Sequence, residues 1–555
     1  MRKFKVKINQ FAVGAGLLQI PFFSLLTASA LFAIGLKIYP FVLTFAIILS
    51  LLSLYLMTRK STSEFISSTA LFLMLFFASL YLSSMFYDYS WDGRCYHGEA
   101  IVAMKNGWNP MYQHHVLGVN PEMAFWVDHY AKGLETISAV IYSATNELEL
   151  GKAVNFILVF AAGFIFYHFL SSRFSFISAK KRFFLALIFS LCPVVVNQLF
   201  TFYIDWIVYV LLLILISLLI DAIRRPDKFN LYFIGVSIFI LVTIKFNILF
   251  WVAFTLLCYF IYIAILKRYK LLKNLIISSA AGAILGLFLA GYNPYITNFI
   301  DRGNPFYPFM GEGKRDVITW IIPKCVQGKS HAEASLISVL SYPNTTDSNV
   351  FAFPWNLKKE YIEGSGLYDS RIGGFGAFFA WILILTTTLY CFKIDFKNKK
   401  KRLFDIFLLT LFLSLFLLPY GWWARYVPFF YAFPLVMLLY LEYEKKNRFI
   451  ILSKNLIYLL IAVNVSCSLY YSCKSANDNK KIVDQTLLTL EKSDVPIHVN
   501  FGWNVNFKVK MDKRMIPYNE TTEELGTRIF GPPVFFDSDV FWVEEGILFD
   551  KTKQE

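Results

Sequence analysis

The sequence predicts an all-α polytopic membrane protein of about thirteen transmembrane helices, and three observations carry that prediction. First, 57% of the 555 residues are hydrophobic and the mean hydropathy is +0.53, above the roughly 45–50% apolar content of soluble chains. Second, the apolar residues fall in runs of about 17–22, the length that crosses ~30 Å of hydrocarbon. Third, the Lys and Arg clusters recur in every second connection between those runs. The positive-inside rule makes that side the cytoplasm.

The runs lie at about 12–34, 38–57, 65–86, 153–170, 183–201, 204–222, 230–247, 248–266, 274–295, 376–392, 404–420, 425–442 and 449–470. The start carries Arg2, Lys3, Lys5 and Lys7 and reads as the lead into a first membrane helix, without a small-residue cleavage site. Basic residues follow at Arg59 and Lys60, Arg173 to Arg182, Arg224 to Lys228, Lys267 to Lys273, Lys393 to Arg402, and Lys445 to Arg448. With thirteen crossings all of these share one side. The stretch 231–266 divides at Lys245 and Asn247 into two helices with a tight outer turn. The other side receives two long loops, 87–152 and 296–375, the Gly421-Trp422-Trp423 turn, and a polar tail. Long connections tend to carry function. The expected organisation is a membrane domain over 1–470 and a small extracytoplasmic domain or tail over 471–555. The protein is expected in the cytoplasmic (inner) membrane, with a cytoplasmic N-terminus and an extracytoplasmic C-terminus. Gly133 to Leu148 has helical periodicity and is expected to lie along the interface. The net charge of +15 is read as topology signal, not as a nucleic-acid footprint.

Ionisable residues at membrane depth cost on the order of 2.5–3.5 kcal/mol each, so those present call for a reason. Asp88 and Asp92 follow the third run, in Tyr87-Asp88-Tyr89-Ser90-Trp91-Asp92-Gly93-Arg94-Cys95-Tyr96-His97. Asp205 opens the sixth, Lys245 closes the seventh, and Arg425 opens the twelfth. Each alone is explained by snorkelling. Together they put two cations and a set of carboxylates at one depth, on the side where cations are not expected. A carboxylate there can take a proton from an acceptor hydroxyl, while Arg and Lys hold a phosphate leaving group. That supports single displacement at a sugar carbon with inversion.

These residues resemble the GT-C superfamily of polyprenyl-phosphate-sugar-dependent glycosyltransferases, which includes protein O-mannosyltransferases, lipid A aminoarabinose transferases and bacterial surface-polysaccharide enzymes. The resemblance spans about 65–440. Asp92, in Asp92-x-x-x-Tyr96-His97, matches an essential Asp of the first outer loop, with Asp88 as the fallback. Gly107-Trp108-Asn109-Pro110, Tyr203-Ile204-Asp205, Lys245-Phe246, Gly303 to Pro308, Arg371 to Gly376 and Trp423-Ala424-Arg425-Tyr426 resemble further elements. The resemblance implies catalytic roles for Asp92, Asp88 and Asp205, and substrate contacts for Arg425, Lys245, Tyr96, His97 and Tyr426. It implies a polyprenyl-phosphate sugar donor, a glycan, lipid or protein acceptor, surrounding membrane lipid, and no nucleic acid. No cofactor is expected. His97, His114 and His115 with Asp92 and Glu99 could take a divalent metal, but no spacing matches a zinc signature. Asp537-Ser538-Asp539 looks like a nucleotide-metal motif in a tail too short for a nucleotide-binding sheet. Asn344-Thr345-Thr346 and Asn519-Glu520-Thr521 read as sequons. Gly373-Gly374-Phe375-Gly376 reads as a tight helix entry. The rival expectations are a transporter or flippase of lipid-linked saccharides, and a polysaccharide polymerase or ligase.

Overall fold

The computed structural model describes residues 7–115, 121–316, 318–344, 350–392, 402–417, 420–443, 448–493, 495–502, 504–521, 527–530 and 540–543. Arg2, Lys3, Lys5, Lys393, Lys445, Thr345 and Thr346, and the Asp537-Ser538-Asp539 motif, lie outside them.

The chain is mostly helical. Its helices are α1 (Gln10–Ala33), α2 (Phe41–Thr58), α3 (Thr62–Ser84), α4 (Gly98–Lys105), α5 (Pro121–His129), α6 (Gly133–Thr145), α7 (Ala153–Arg173), α8 (Ala179–Ser190), α9 (Pro193–Gln198), α10 (Asp205–Arg224), α11 (Lys228–Leu241), α12 (Phe246–Ile265), α13 (Tyr269–Leu285), α14 (Thr297–Arg302), α15 (His331–Val339), α16 (Lys359–Glu363), α17 (Phe379–Cys391), α18 (Arg402–Leu417), α19 (Ala432–Leu441) and α20 (Arg448–Leu490). Beyond them come β1 (Ile497–Asn500), α21 (Val505–Lys513), β2 (Tyr518–Glu520), β3 (Thr527–Phe530) and β4 (Val540–Val543).

Among the described residues, eight helices are long and apolar enough to cross a membrane. That makes the chain a multi-pass membrane protein. Those eight contain α1, α2, α3, α7, α10, α12, α13 and α20. The other five apolar runs also form helices, but short ones: α8, α11, α17, α18 and α19 have 12, 14, 13, 16 and 10 residues. The run at 183–201 shows why. Cys192 is extended (φ −82°, ψ 159°) and Pro193 is the first residue of α9. A proline disfavours helix in the residue before it and suits a helix start, so the run breaks in two.

Burial separates inner from outer helices. In α1, α7 and α10, 72–78% of the apolar stretch is buried, against 28–33% in α2, α3, α12 and α13. The first group forms the centre: α1 packs on α7, and α7 on α8 and α10. The second group turns side chains such as Phe45, Leu52, Phe77 and Leu257 outward, as lipid-facing helices do.

Two expectations change. The segment from Gly133 does not lie on a surface: every residue of α6 from Gly133 to Tyr142 is buried. Its start presses against the turn after α11, where Gly133 N–H donates to Thr243 O at 2.9 Å. The last membrane helix does not stop near 470. α20 runs 43 residues to Leu490, keeping a buried stripe at Ile457, Ile461, Asn464, Ser468, Ser472, Ala476 and Asn479, the spacing of one helix face. The tail therefore grows from that helix. It adds a four-stranded sheet, order β2-β1-β4-β3, and its own small core of Leu487, Leu490, Ile497, Val499, Phe507 and Met511.

Candidate active site

The sequence scatters its charged residues over more than 330 positions, and the fold gathers four of them. Asp92 enters a single π-helical turn, Gly93–His97, a local irregularity common at functional sites. Gly93 leaves room for the Asp88 and Ser90 side chains: a Cβ would fall 2.1 Å from Asp88 Oδ2 and 2.3 Å from Ser90 Oγ, and both would have to shift. Asp205 is the first residue of α10. Lys245 precedes α12 in extended backbone (φ −160°, ψ 145°), so the break between α11 and α12 swings its side chain out of the helical stack. Arg425 sits in the one-turn helix Ala424–Tyr426, after two stacked tryptophans, Trp422 and Trp423.

Arg425 is the hub. Its Nη1 lies 3.1 Å from Asp92 Oδ2 and 3.7 Å from Asp205 Oδ2, and its Nε 3.6 Å from Asp369 Oδ1. Asp205 Oδ1 is 2.6 Å from Lys245 Nζ. With all five ionised the cluster carries a net charge of −1. Aromatic rings wall it: Lys245 stands 4.1 Å over the Tyr426 ring, and the Arg425 guanidinium 4.1 Å over Trp423 and 5.1 Å over Tyr203. Cation–π contacts of this kind strengthen when desolvated. Exposure is graded. The Asp205 side chain is 3% exposed, while Asp92, Arg425 and Asp369 are 12–15% exposed. Lys245 is 10% exposed, so a ligand meets Asp92, Arg425, Asp369 and Lys245 before it meets Asp205.

The sequence reading missed Asp369. It is one of several acids in the loop 296–375, and it stands two residues before the quoted Arg371 motif. The tertiary structure singles it out. Asn197 and Gln198 of α9 donate to the carbonyls of Ser365, Leu367 and Tyr368 at 2.7–3.1 Å, and Trp423 Nε1 donates to Asp369 Oδ1 at 2.7 Å. Burial pushes the Asp369 carboxyl up, and the Arg425 guanidinium pulls against it.

The other expected residues divide. Tyr96 and Tyr426 are half-buried at the cluster. His97 is not at an open edge. Its Nδ1 is 2.5 Å from Glu135 Oε1, with both side chains almost fully buried. Asp88 is drawn elsewhere. Its carboxylate accepts from Ser90 N–H and Oγ at 3.0 and 2.7 Å, beside a second charge group in which Glu149 pairs with Lys152 at 2.5 Å and Lys510 at 2.8 Å. Lys510 lies on α21, so this group also fastens the tail to the first loop. Of the two carboxylates, Asp92 is the one that the fold brings to Arg425. His115 pairs with Glu99 at 2.8 Å. Among the described residues no three His, Cys, Asp or Glu side chains converge as metal ligands. Gly373 has φ +66°, with a would-be Cβ 2.4 Å from the Tyr342 backbone, so it serves a tight turn ahead of α17.

A cavity of about 1420 Å³ lies between the first loop and the tail, lined by Glu99, Trp108, Tyr142, Glu147, Phe501 and Lys510 among others. Asp92, Arg425, Lys245 and Asp369 do not line it, but Tyr87 and Cys95, on either side of Asp92 in the chain, do. Four of its five lining cations are paired: Lys510 with Glu149 at 2.8 Å, Lys513 with Glu147 at 2.5 Å, Arg514 with Asp484 at 3.0 Å, and Lys508 with Glu520, while Lys105 stands 5.1 Å over the Tyr142 ring.

Lys132, at the start of α6, is buried and donates to Asp128 O, Tyr130 O and Asn293 Oδ1 at 3.1, 2.6 and 2.5 Å. Burial pushes its ammonium down to about 7 from 10.5. Between those values the unfolded chain binds the extra proton, so stability rises with pH through that window. We expect the melting temperature of Lys132→Met to gain less, relative to the unaltered protein, as the pH rises from 7 to 9.5. Equal slopes for both proteins would refute this.

No family model matches the chain, and no curated protein matches it. Fold and cluster together define a helical multi-pass membrane protein with a buried five-residue ion-pair cluster.

Proposed function

We infer that the protein is an integral-membrane glycosyltransferase of the GT-C type, with about thirteen crossings, the N-terminus in the cytoplasm and the cluster at the outer face of the cytoplasmic membrane. It moves a sugar from a polyprenyl-phosphate donor to an acceptor. The observation that carries this reading is the continuous chain of ion pairs from Asp92 through Arg425 and Asp205 to Lys245.

A phosphate arriving at the partly exposed edge takes the place of Asp92 at the Arg425 guanidinium, where a two-pronged hydrogen bond suits it. The displaced Asp92 carboxylate is free to accept the proton of an acceptor hydroxyl. The acceptor oxygen attacks the anomeric carbon, and the bond from that carbon to the phosphate oxygen breaks. The electron pair leaves with the phosphate, which Arg425 and Lys245 neutralise. Asp205 fixes Lys245, and Asp369 with Trp423 fixes Arg425. The large cavity, with aromatic walls and paired charges, suits a neutral polar acceptor such as a saccharide.

Incubation of the purified protein with a panel of polyprenyl-phosphate sugars, followed by mass spectrometry of the products, tests the reading. A new glycosidic bond is expected. Labelled lipid-linked saccharide crossing a vesicle bilayer with no such bond would assign the cluster to transport, and products of many added units to polymerisation.

A further inference from the structure

A second cavity, of about 570 Å³, lies among α7, α8, α10 and α19. Its walls are almost wholly apolar, with Phe166, Phe189, Ala432 and Val436 among them. On α10 it is bordered by Leu213, Ile216, Ile220 and Arg224, one stripe of the helix surface. Leu213, Ile216 and Ile220 are half-buried, so this side opens outward from a helix long and apolar enough to span the membrane. An apolar cavity does not hold ordered water. One facing lipid fills with hydrocarbon.

The two arginines at one end give the occupant its charge. Arg173 and Arg224 are the last residues of α7 and α10, and both line the cavity. Arg224 Nη1 donates to Ser172 O at 3.1 Å. Arg173 donates to Ile220 O. Its Nε is buried without a hydrogen bond and lies 3.8 Å from Asp221 Oδ1. Asp221 already accepts from Ser172 Oγ at 3.1 Å and Asn230 Nδ2 at 3.3 Å. One net positive charge remains at the mouth, and the exposed Arg225 and Asp227 beside it offset each other. Basic pockets between membrane helices bind anionic headgroups.

We propose that this cavity holds an acyl chain of an anionic glycerophospholipid whose phosphate sits between Arg173 and Arg224. The lipid belongs to the leaflet opposite the Asp92–Arg425 cluster. Asp205 and Arg224 are the two ends of α10, a helix of 20 residues, so the two phosphate levels stand about 30 Å apart. A donor whose phosphate lies at Arg425 does not reach Arg224.

The test uses the full chain in detergent, with bound lipids counted by native mass spectrometry and thermal unfolding followed in parallel. Phosphatidylglycerol is expected to bind and to raise the melting temperature more than phosphatidylcholine does. Arg224→Gln, at an exposed position, is expected to weaken phosphatidylglycerol about fivefold and leave phosphatidylcholine unchanged. Ala432→Phe, which places a ring in the cavity, is expected to lose retention of both lipids. The proposal falls if Arg224→Gln keeps the full preference, or if Ala432→Phe retains lipid as the unaltered protein does. It also falls if inorganic phosphate alone stabilises equally, or if a polyprenyl monophosphate displaces phosphatidylglycerol.

Discussion

Asp92→Asn is expected to fold normally and to transfer sugar about 10²–10⁴ times more slowly, the usual contribution of a general base. The amide has the shape of the carboxylate, so its oxygen still accepts from Arg425 Nη1, now 3.1 Å from Asp92 Oδ2. Arg425 keeps two further carboxylates, Asp205 and Asp369. The substitution takes the cluster from a net charge of −1 to zero and leaves no charge unpaired. An unaltered melting temperature with lost transfer is therefore the signature of a missing proton acceptor. Asp88→Asn serves as the comparison: its carboxylate is engaged by Ser90, and any effect there is expected on stability. Full transfer by Asp92→Asn would remove the proposed base.

Arg425→Gln is expected to cost both stability and activity. Without the guanidinium, Asp92 and Asp369 face each other in a desolvated site with no cation, and Asp205 keeps only Lys245. Removing one partner of a buried ion pair costs about 3–5 kcal/mol. Loss of a preorganised contact to the leaving phosphate adds on the order of 10²–10³ in rate. Arg425→Lys is not expected to rescue. A lysine is a single point charge, whereas here Nη1 serves Asp92 and Asp205 while Nε faces Asp369. Adding Asp369→Asn to Arg425→Gln is expected to return part of the lost stability without returning transfer, because it removes an uncompensated carboxylate. Thermal unfolding and product mass spectrometry on the single and double variants separate the two effects. A wild-type melting temperature in Arg425→Gln would show that the cluster is not held by this residue.

How the site could be read in the sequence depended on how far each residue departs from its surroundings. Asp205, Lys245 and Arg425 interrupt apolar runs, and a charge in such a run is conspicuous because it is costly there. Asp369 is just as central, yet it sits in a polar loop among other acids, and it is placed by the amides of Asn197 and Gln198, which hold the preceding backbone, and by the Trp423 indole. Asp88 and Asp92 look equivalent on paper. The turn through Ser90 and Gly93 sends one carboxylate toward Glu149 and Lys152 and leaves the other for Arg425.

By itself the sequence determined the class of the protein: hydrophobic runs long enough to cross a bilayer force helices, because backbone polar groups have no other partners there. It also set which charges stand at the ends of those helices. Only the tertiary structure decided which of them meet, which helices are central, that α6 is buried, and that the last helix continues into the tail. Those outcomes depend on contacts between residues hundreds of positions apart, such as Asp92 and Arg425, and hydrophobic periodicity carries no record of such pairings.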